Sequence, residues 1–325
     1  MKRSIFLQQL GLGTLGATTA LQWACANPKP KYAQAFKPQD LSFKLSLAQW
    51  SIHRMIESGQ VSPYNFAALA AKWGFSGLEY VAGLYPELQG QKSAQAAQNF
   101  ISQNNELAQV HKQENLLIMI DGEGDLSDAD EAKRQAGVEN HKFWIETAAA
   151  MNCHSIRINL FGAFDVETWK EQSQKSLAAL GAYAKDYKIN VLVENHGYLS
   201  SHGQYLMEVL EQVNLANCGT LPDFGNFCLK REGNSRWDTS CVESYDRYKG
   251  VAEMMPRAFA VSAKSYDFDA QGQETTIDFK RMLELVKAQN YTGFIGVEYE
   301  GNRLSEEAGI LATRDLLIRL GKELT

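Results

Sequence analysis

The stretch INVLVENHGYLSSHG, Ile189 to Gly203, opens as a run of Ile, Val and Leu and stops on Glu194, Asn195 and His196 before a glycine. A short apolar run bounded by a turn signal reads as a strand buried on both faces. Such strands belong to parallel sheets covered by helices. An acid and an imidazole at the end of this one therefore read as groups presented at the carboxyl edge of a sheet.

Seven other runs have the same form. In chain order the eight are Phe43–Trp50, Gly77–Val81, Asn115–Asp121, His154–Leu160, Asn190–Asn195, Gly219–Phe224, Ala258–Lys264 and Gly293–Glu300. They recur at intervals of roughly 27 to 41 residues. Amphipathic segments lie between them, among them Tyr64–Phe75, Val138–Asn152 and Phe279–Tyr291, and Gln91–Gln113 reads as a polar-faced helix. Ser62 and Pro63 form a helix start, and Gly74 its stop. Strict alternation of strand and helix implies a parallel sheet with right-handed crossovers. Eight units over residues 41–325 predict an α/β chain folded as a single-domain (β/α)8 TIM barrel. The rival is an open doubly wound sheet, which usually carries a glycine-rich phosphate turn after its first strand. The segment Gln49–Gly59 offers none.

The chain has 325 residues, 45% of them hydrophobic and 22% charged, which is ordinary globular composition. Its net charge of −6 argues against a nucleic-acid partner. Residues 1–26 form a basic start, a mildly apolar Gly/Thr-rich stretch and small residues, a signal-peptide pattern too short and mild for a membrane span. Lys2-Arg3-Ser4-Ile5-Phe6 is like a twin-arginine export signal with lysine at the first position. Ala24-Cys25-Ala26 offers a cleavage site, and residues 27–40 a linker. The expectation is a periplasmic protein, with a lipid anchor at Cys25 as the alternative, although Gln22 and Trp23 fit a lipobox poorly. Four cysteines then remain. Cys228 and Cys241 fall in one long loop and are the plausible disulfide pair, while Cys153 and Cys218 lead into buried strands. No C-x-x-C occurs, which disfavours a thiolate zinc site.

In a barrel of this kind chemistry sits at the C-terminal ends of the strands. Those ends carry Trp50 and His53, Glu79, Asp121 with Glu123, Arg157 with Asn159, Glu194 with His196, Asp223 with Asn226, Lys264, and Glu298 with Glu300. The opposite ends are small and neutral. A lone strand-end acid is more often a solvated rim residue, His53 alone could cap a helix, and Asp121 with Glu123 could serve loop and helix-cap chemistry. His111, His141 and His154 read as structural, and His202 as an exposed loop residue. The joint pattern is what points to a site. Glu194, Asp223 and Glu298, on strands five, six and eight, converge on one side of the mouth. Carboxylates that close repel unless a cation joins them. Oxygen ligands with one imidazole suit manganese, magnesium, cobalt or iron(II) better than a structural zinc.

The segments SLAQWSIHR, GLEYV, IMIDGEGDL, HSIRIN, VLVENHG, TLPDFGNF, VSAKSYDFD and GVEYEG resemble the xylose isomerase-like TIM-barrel superfamily, and more closely its exported sugar phosphate isomerase/epimerase-like branch. The resemblance runs from about Leu41 to the C-terminus. It implies one divalent metal (Mn, Co, Mg, Fe or Zn) held by Glu194, Asp223 and Glu298. The strand-seven histidine of the family falls on Ser262, and His196 is the candidate to replace it. The histidine of the family's D-x-x-H falls on Asn226. Lys264 keeps the family lysine.

The implied reaction is proton abstraction next to a carbonyl through an enediolate, with Glu194 and Glu298 as the acid/base pair. Lys264, Arg157, Asn159 and Asn226 would bind sugar hydroxyls, Trp50 and Trp237 would stack on the ring, and His53 and Glu79 complete the substrate-binding candidates. Export favours a free sugar or sugar derivative over a phosphorylated one. The alternatives are a 3-keto-glycoside lyase or hydratase using the same metal, and an inactive sugar-binding barrel. An endonuclease-type barrel would need more site histidines and a basic groove. No stable membrane span is expected, and a homo-oligomer is implied by analogy alone.

Overall fold

A computed structural model describes residues 41–90, 92–237 and 239–324. The export signal, its cleavage site, Cys25 and the linker all lie outside the described residues. Eight parallel strands pair in a ladder: β1 Lys44–Ala48, β2 Gly77–Val81, β3 Glu114–Met119, β4 Ser155–Ile158, β5 Asn190–Glu194, β6 Cys218–Leu221, β7 Val261–Ser265 and β8 Phe294–Tyr299. The ladder runs β6-β5-β4-β3-β2-β1-β8-β7. Two parallel bridges, Thr220 to Ala258 and Asp223 to Ser262, join its outer strands and close it into a barrel.

Helices follow the strands in alternation: α1 Phe66–Lys72, α2 Ala94–His111, α3 Glu131–Ala150, α4 Val166–Asp186, α5 Gly203–Val213, α6 Arg247–Met254, α7 Phe279–Ala288 and α8 Glu306–Leu324. Their starts are fixed chemically. Ser93, Asp130, Asp165, Asp246 and Asp278 accept hydrogen bonds from first-turn amides of α2, α3, α4, α6 and α7. Ser62 starts a short turn ahead of α1 through a capping box with Asn65. The apolar core lies between strands and helices, where Trp144, Trp169, Tyr80 and Phe100 are wholly buried. Two indoles also tie strand-end loops to this layer. Trp144 donates to Glu123 (2.8 Å) and Trp169 to the carbonyl of Leu160 (2.8 Å). No described helix is long and apolar enough to cross a membrane.

Two expectations change. The long loop holding Cys228 and Cys241 is an antiparallel hairpin, Cys228–Arg231 with Cys241–Ser244, across which the two cysteines form the expected disulfide. His202 is not an exposed loop residue: it is partly buried, caps α5 at Tyr205 and stacks on the Tyr205 ring with centroids 3.6 Å apart. Cys153 and Cys218 are buried free thiols.

Candidate active site

Glu194 ends β5 and is 2% exposed. The chain must then turn sharply, which Gly197 allows with φ +97°, a conformation that other residues rarely adopt. The hydroxyls of Ser200 and Ser201 accept from the amides of His196 and Gly197 and hold that turn. Asn195, between the two functional candidates, is wholly buried. Its amide donates to the carbonyl of Asp223 (2.9 Å), and its oxygen accepts from the Asp223 amide (2.7 Å). Asn195 thus fixes the β6 loop against the end of β5, and nothing in the sequence reading singled it out.

The three acids are densely hydrogen-bonded. Glu194 accepts from Asn226 Nδ2 at 3.0 Å through Oε1, and its Oε2 lies 2.8 Å from Arg157 Nε. Asp223 Oδ1 accepts from the amides of Gly225 and Asn226, both at 2.8 Å. Asp223 Oδ2 lies 2.6 Å from the Ser262 hydroxyl, and that same hydroxyl lies 2.9 Å from Glu298 Oε2. Glu298 Oε1 accepts from Lys264 Nζ at 3.0 Å, and Lys264 also pairs with Glu300 at 3.1 Å. Arg157 extends the network to Asp121 (2.9 Å), to which Asn159 donates at 2.6 Å.

These contacts set the protonation states. Burial pushes the Glu194 carboxyl up, but the nearby His196, Arg157 and Lys264 charges overrule it and hold it below the usual carboxylate range. Asp223 goes the other way. Burial, with the charges of Glu194 and Glu298, outweighs Lys264 and Ser262 and raises it to about 7. The geometry agrees, because one hydroxyl proton on Ser262 cannot serve two anions. A proton on Asp223 lets it donate to Ser262, which then donates to Glu298. Burial disfavours charge on Lys264, yet Glu298 and Glu300 keep it charged.

Beneath this network lies Glu79, 1% exposed, with Oε1 accepting from Ser46 at 2.5 Å and Oε2 buried without a partner. Burial raises it to about 8, and Glu298 and Glu194 add to the shift. Above the network lies a roof. His196 Nδ1 is 2.9 Å from Asn159 Oδ1, and its ring meets Trp237 (centroids 4.7 Å), which meets Phe161 (5.5 Å). Arg236 pairs with Asp125 at 2.8 Å. Trp237 and Arg236 are carried by the disulfide-closed hairpin. They stand between a cavity of about 620 Å³ lined by Asp121, Asn140, Asn159 and Phe161, and one of about 70 Å³ lined by His196, Asn226 and Tyr266. The larger cavity lies to the side of the acids.

Glu194, Asp223, Glu298, Arg157, Asn159, Asn226 and Lys264 therefore form one connected group. Trp50 and His53 stand at the end of β1, stacked on each other at 4.2 Å. Trp50 reaches the group at Glu300, whose carboxyl it helps to hold below the usual carboxylate range, whereas His53 faces the Trp50 carbonyl (2.6 Å) and Glu306 (3.6 Å). Glu123, beside Asp121, is taken up by Lys92 and Trp144.

A family model for the xylose isomerase-like TIM barrel matches residues 67–320. The chain belongs to the xylose isomerase-like TIM barrel family. Among curated proteins none matches it by sequence. Solved structures that resemble it include an L-ribulose 3-epimerase, 14% identical with a TM-score of 0.63 over 87% of this chain and 95% of that one. The 3-keto-D-glucoside 4-epimerase of E. coli is 15% identical, with a TM-score of 0.58 over 86% and 98%. The IolI protein, solved with a zinc atom bound, is 14% identical, with a TM-score of 0.61 over 87% and 99%. At these identities the likeness is one of fold.

The donor set of this xylose isomerase-like barrel does not fit a divalent cation. All six carboxylate oxygens of Glu194, Asp223 and Glu298 already face a hydrogen-bond donor or a cation. The strand-seven position supplies a serine hydroxyl. His196 does not complete the shell, being turned to Asn159 and Trp237. Among the described residues no three His, Cys, Asp or Glu side chains stand at metal-binding distances.

Proposed function

We propose that this protein is a sugar isomerase or epimerase that moves a proton at a carbon next to a carbonyl, acting on a free sugar or sugar derivative. The observation that carries this reading is the pairing of two buried carboxylates of unlike surroundings, Glu194 and Glu298, with two buried cations at the mouth of the barrel. Glu194, held ionised, is the base that removes the C–H proton. The resulting enediolate carries its charge on oxygens that Lys264 and Arg157 neutralise. Glu298, linked through Ser262 to the proton on Asp223, returns a proton to the opposite face or the neighbouring carbon. Solvent exchange then resets both groups. Asn159 and Asn226 bind hydroxyls.

The preference for a free sugar rests on the export pattern of residues 1–26, because phosphorylated sugars are mostly intracellular. The 3-keto-D-glucoside 4-epimerase among the relatives by fold makes 3-keto-glycosides natural candidates beside ketoses. We place the protein in the periplasm, on the export pattern of residues 1–26 and the Cys228–Cys241 disulfide, which an oxidising compartment sustains.

Entry requires room. The cavity of about 70 Å³ over Asn226 is smaller than a ligand pocket for a sugar, so the Trp237 arm moves when substrate binds. The reading is tested by incubating the protein with ketoses and 3-keto-glycosides in D2O and following the signal of the carbon-bound proton by NMR. Washout that Glu194→Gln abolishes is the expected result. Retention of the proton with every sugar overturns the reading, and loss of a group at the β carbon turns it to a lyase.

A further inference from the structure

We propose that Lys264, assisted by Ser262 and Arg157, takes the place of the divalent cation, so that the positive charge facing the substrate oxygen is an ammonium group. The assignment of the oxygen to a sugar carbonyl rests on the function proposed above; the charge substitution does not.

Three observations carry it. First, Lys264 and Ser262 stand two residues apart on β7, so both side chains project from the same face of the strand. Both are buried, at about 1% exposure. Lys264 Nζ sits between Glu298 (3.0 Å) and Glu300 (3.1 Å), and a fully buried ammonium is stable only when paired in this way. Secondly, the Ser262 hydroxyl links Asp223 to Glu298. Two carboxylates that would otherwise need a shared cation are joined by a shared proton. Thirdly, Arg157 binds Glu194 and Asp121 together, which removes the third acid from the set. The group therefore carries its own counter-charges. A divalent ion would have to draw these oxygens to 2.0–2.6 Å of one point, away from the donors they now face, and would meet a serine hydroxyl at Ser262 in place of an imidazole.

The same arrangement gives Lys264 a chemical role. It is the cation in the group with three rotatable donors, of which Glu298 and Glu300 take two. The remaining N–H is the one that would meet a carbonyl oxygen whose neighbouring carbon faces Glu194 or Glu298, once the Trp237 arm has moved. Lys264 then stabilises the enediolate without leaving its ion pairs.

The test uses the full chain and needs no substrate. Wild type and Glu298→Gln are freed of metal with a chelator, then titrated with MnCl2, CoCl2 and ZnCl2 by calorimetry, with elemental content and unfolding temperature measured alongside. The expected result is no saturable uptake, no rise in unfolding temperature, and no difference between the two proteins. Uptake of about one ion per wild-type chain, stabilising the fold and lost in Glu298→Gln, overturns the proposal. Where proton exchange on a sugar is found, it should persist in chelator and fall at least about tenfold in Lys264→Met, one tenfold step being about 1.4 kcal/mol of barrier. Exchange that stops in chelator and returns with manganese also overturns the proposal. Failure to find any sugar that exchanges sinks the assigned reaction but leaves the titration result standing.

Discussion

Glu79 lies so close to Gly296 that a Cβ on residue 296 would stand 2.5 Å from the Glu79 carboxylate. Ser46, Gly296 and Ser262 share one level of the ladder, and their small size leaves the socket that Glu79 fills. Gly296→Ala should destabilise the barrel by about 1–3 kcal/mol through overpacking. Glu79→Ala should relieve much of that loss in the double variant. Denaturant unfolding of the four proteins measures the coupling, and strict additivity would show that the socket is not shared.

The same acid makes stability depend on pH. Its folded pKa, about 8, lies above the unfolded value of about 4.3, so the folded state binds more protons between the two. Stability from this group is full below about pH 4 and is lost as pH rises toward 8, with a slope of at most about 1.4 kcal/mol per pH unit. Asp223 acts in the same direction up to about pH 7. Glu79→Gln, which never ionises, should flatten the fall in unfolding free energy between pH 5 and 8. An unchanged slope would mean that Glu79 is ionised in the native protein.

Arg157 should be the costliest single loss in the site. Arg157→Met leaves Glu194 buried without its guanidinium partner and strips Asp121 of the same charge, a loss of about 3–5 kcal/mol. Adding Glu194→Gln should recover part of it. If the double variant is no more stable than the single one, the pair is not what the site depends on.

Activity, once a substrate is in hand, should fall as pH rises through about 7, because Asp223 then gives up the proton it shares through Ser262. On the acid side it should hold to below the usual carboxylate range, since Glu194 resists protonation. In Asp223→Asn the fall near pH 7 should disappear from the kcat/KM profile, and its survival there would assign it to another group.

The hairpin should matter for binding more than for the barrel. Trp237 is 45% exposed and packs on His196 and Phe161, so Trp237→Ala should cost under about 1 kcal/mol of stability while raising KM several-fold. Cys228→Ser/Cys241→Ser should act in the same sense by loosening the arm. A change in kcat with KM unmoved would place Trp237 outside the binding step.

Much of this was legible in the sequence. Each of the eight apolar runs became a strand, because burial on both faces demands a continuous apolar run. Their ends shifted by a few residues: the run Phe43–Trp50 carries only Lys44–Ala48 in the ladder, since Trp50 remains apolar after the backbone has turned into a 3-10 segment. The hairpin was hidden because its second strand, Cys241–Ser244, is wholly exposed and has no face to bury. His202 was misread because its neighbours are serine and glycine, while its stacking partner is set by the helix it caps. The positions of Glu194, Asp223 and Glu298 followed from strand ends alone. Their compensation did not. Arg157, Ser262 and Lys264 meet those acids across 34 to 39 residues of chain, and which oxygen receives which donor depends on side-chain reach. The exception is Asn226, whose amide reaches Asp223 across one turn.

The barrel's seam has a consequence for motion. Where β6 meets β7 three backbone hydrogen bonds join them, from Phe224 to Ser262, from Ser262 to Pro222 and from Phe259 to Thr220. β7 and β8, by contrast, are paired over five consecutive residues. A short seam is where a closed cylinder opens first, and the amides it exposes are those beside Asp223 and Ser262. The proposed reaction centre therefore lies along a line of short pairing. A ligand that spans Asp223 and Glu298 stitches that line, and the slowing of deuterium uptake at Ser262 and Phe224 becomes a label-free gauge of occupancy.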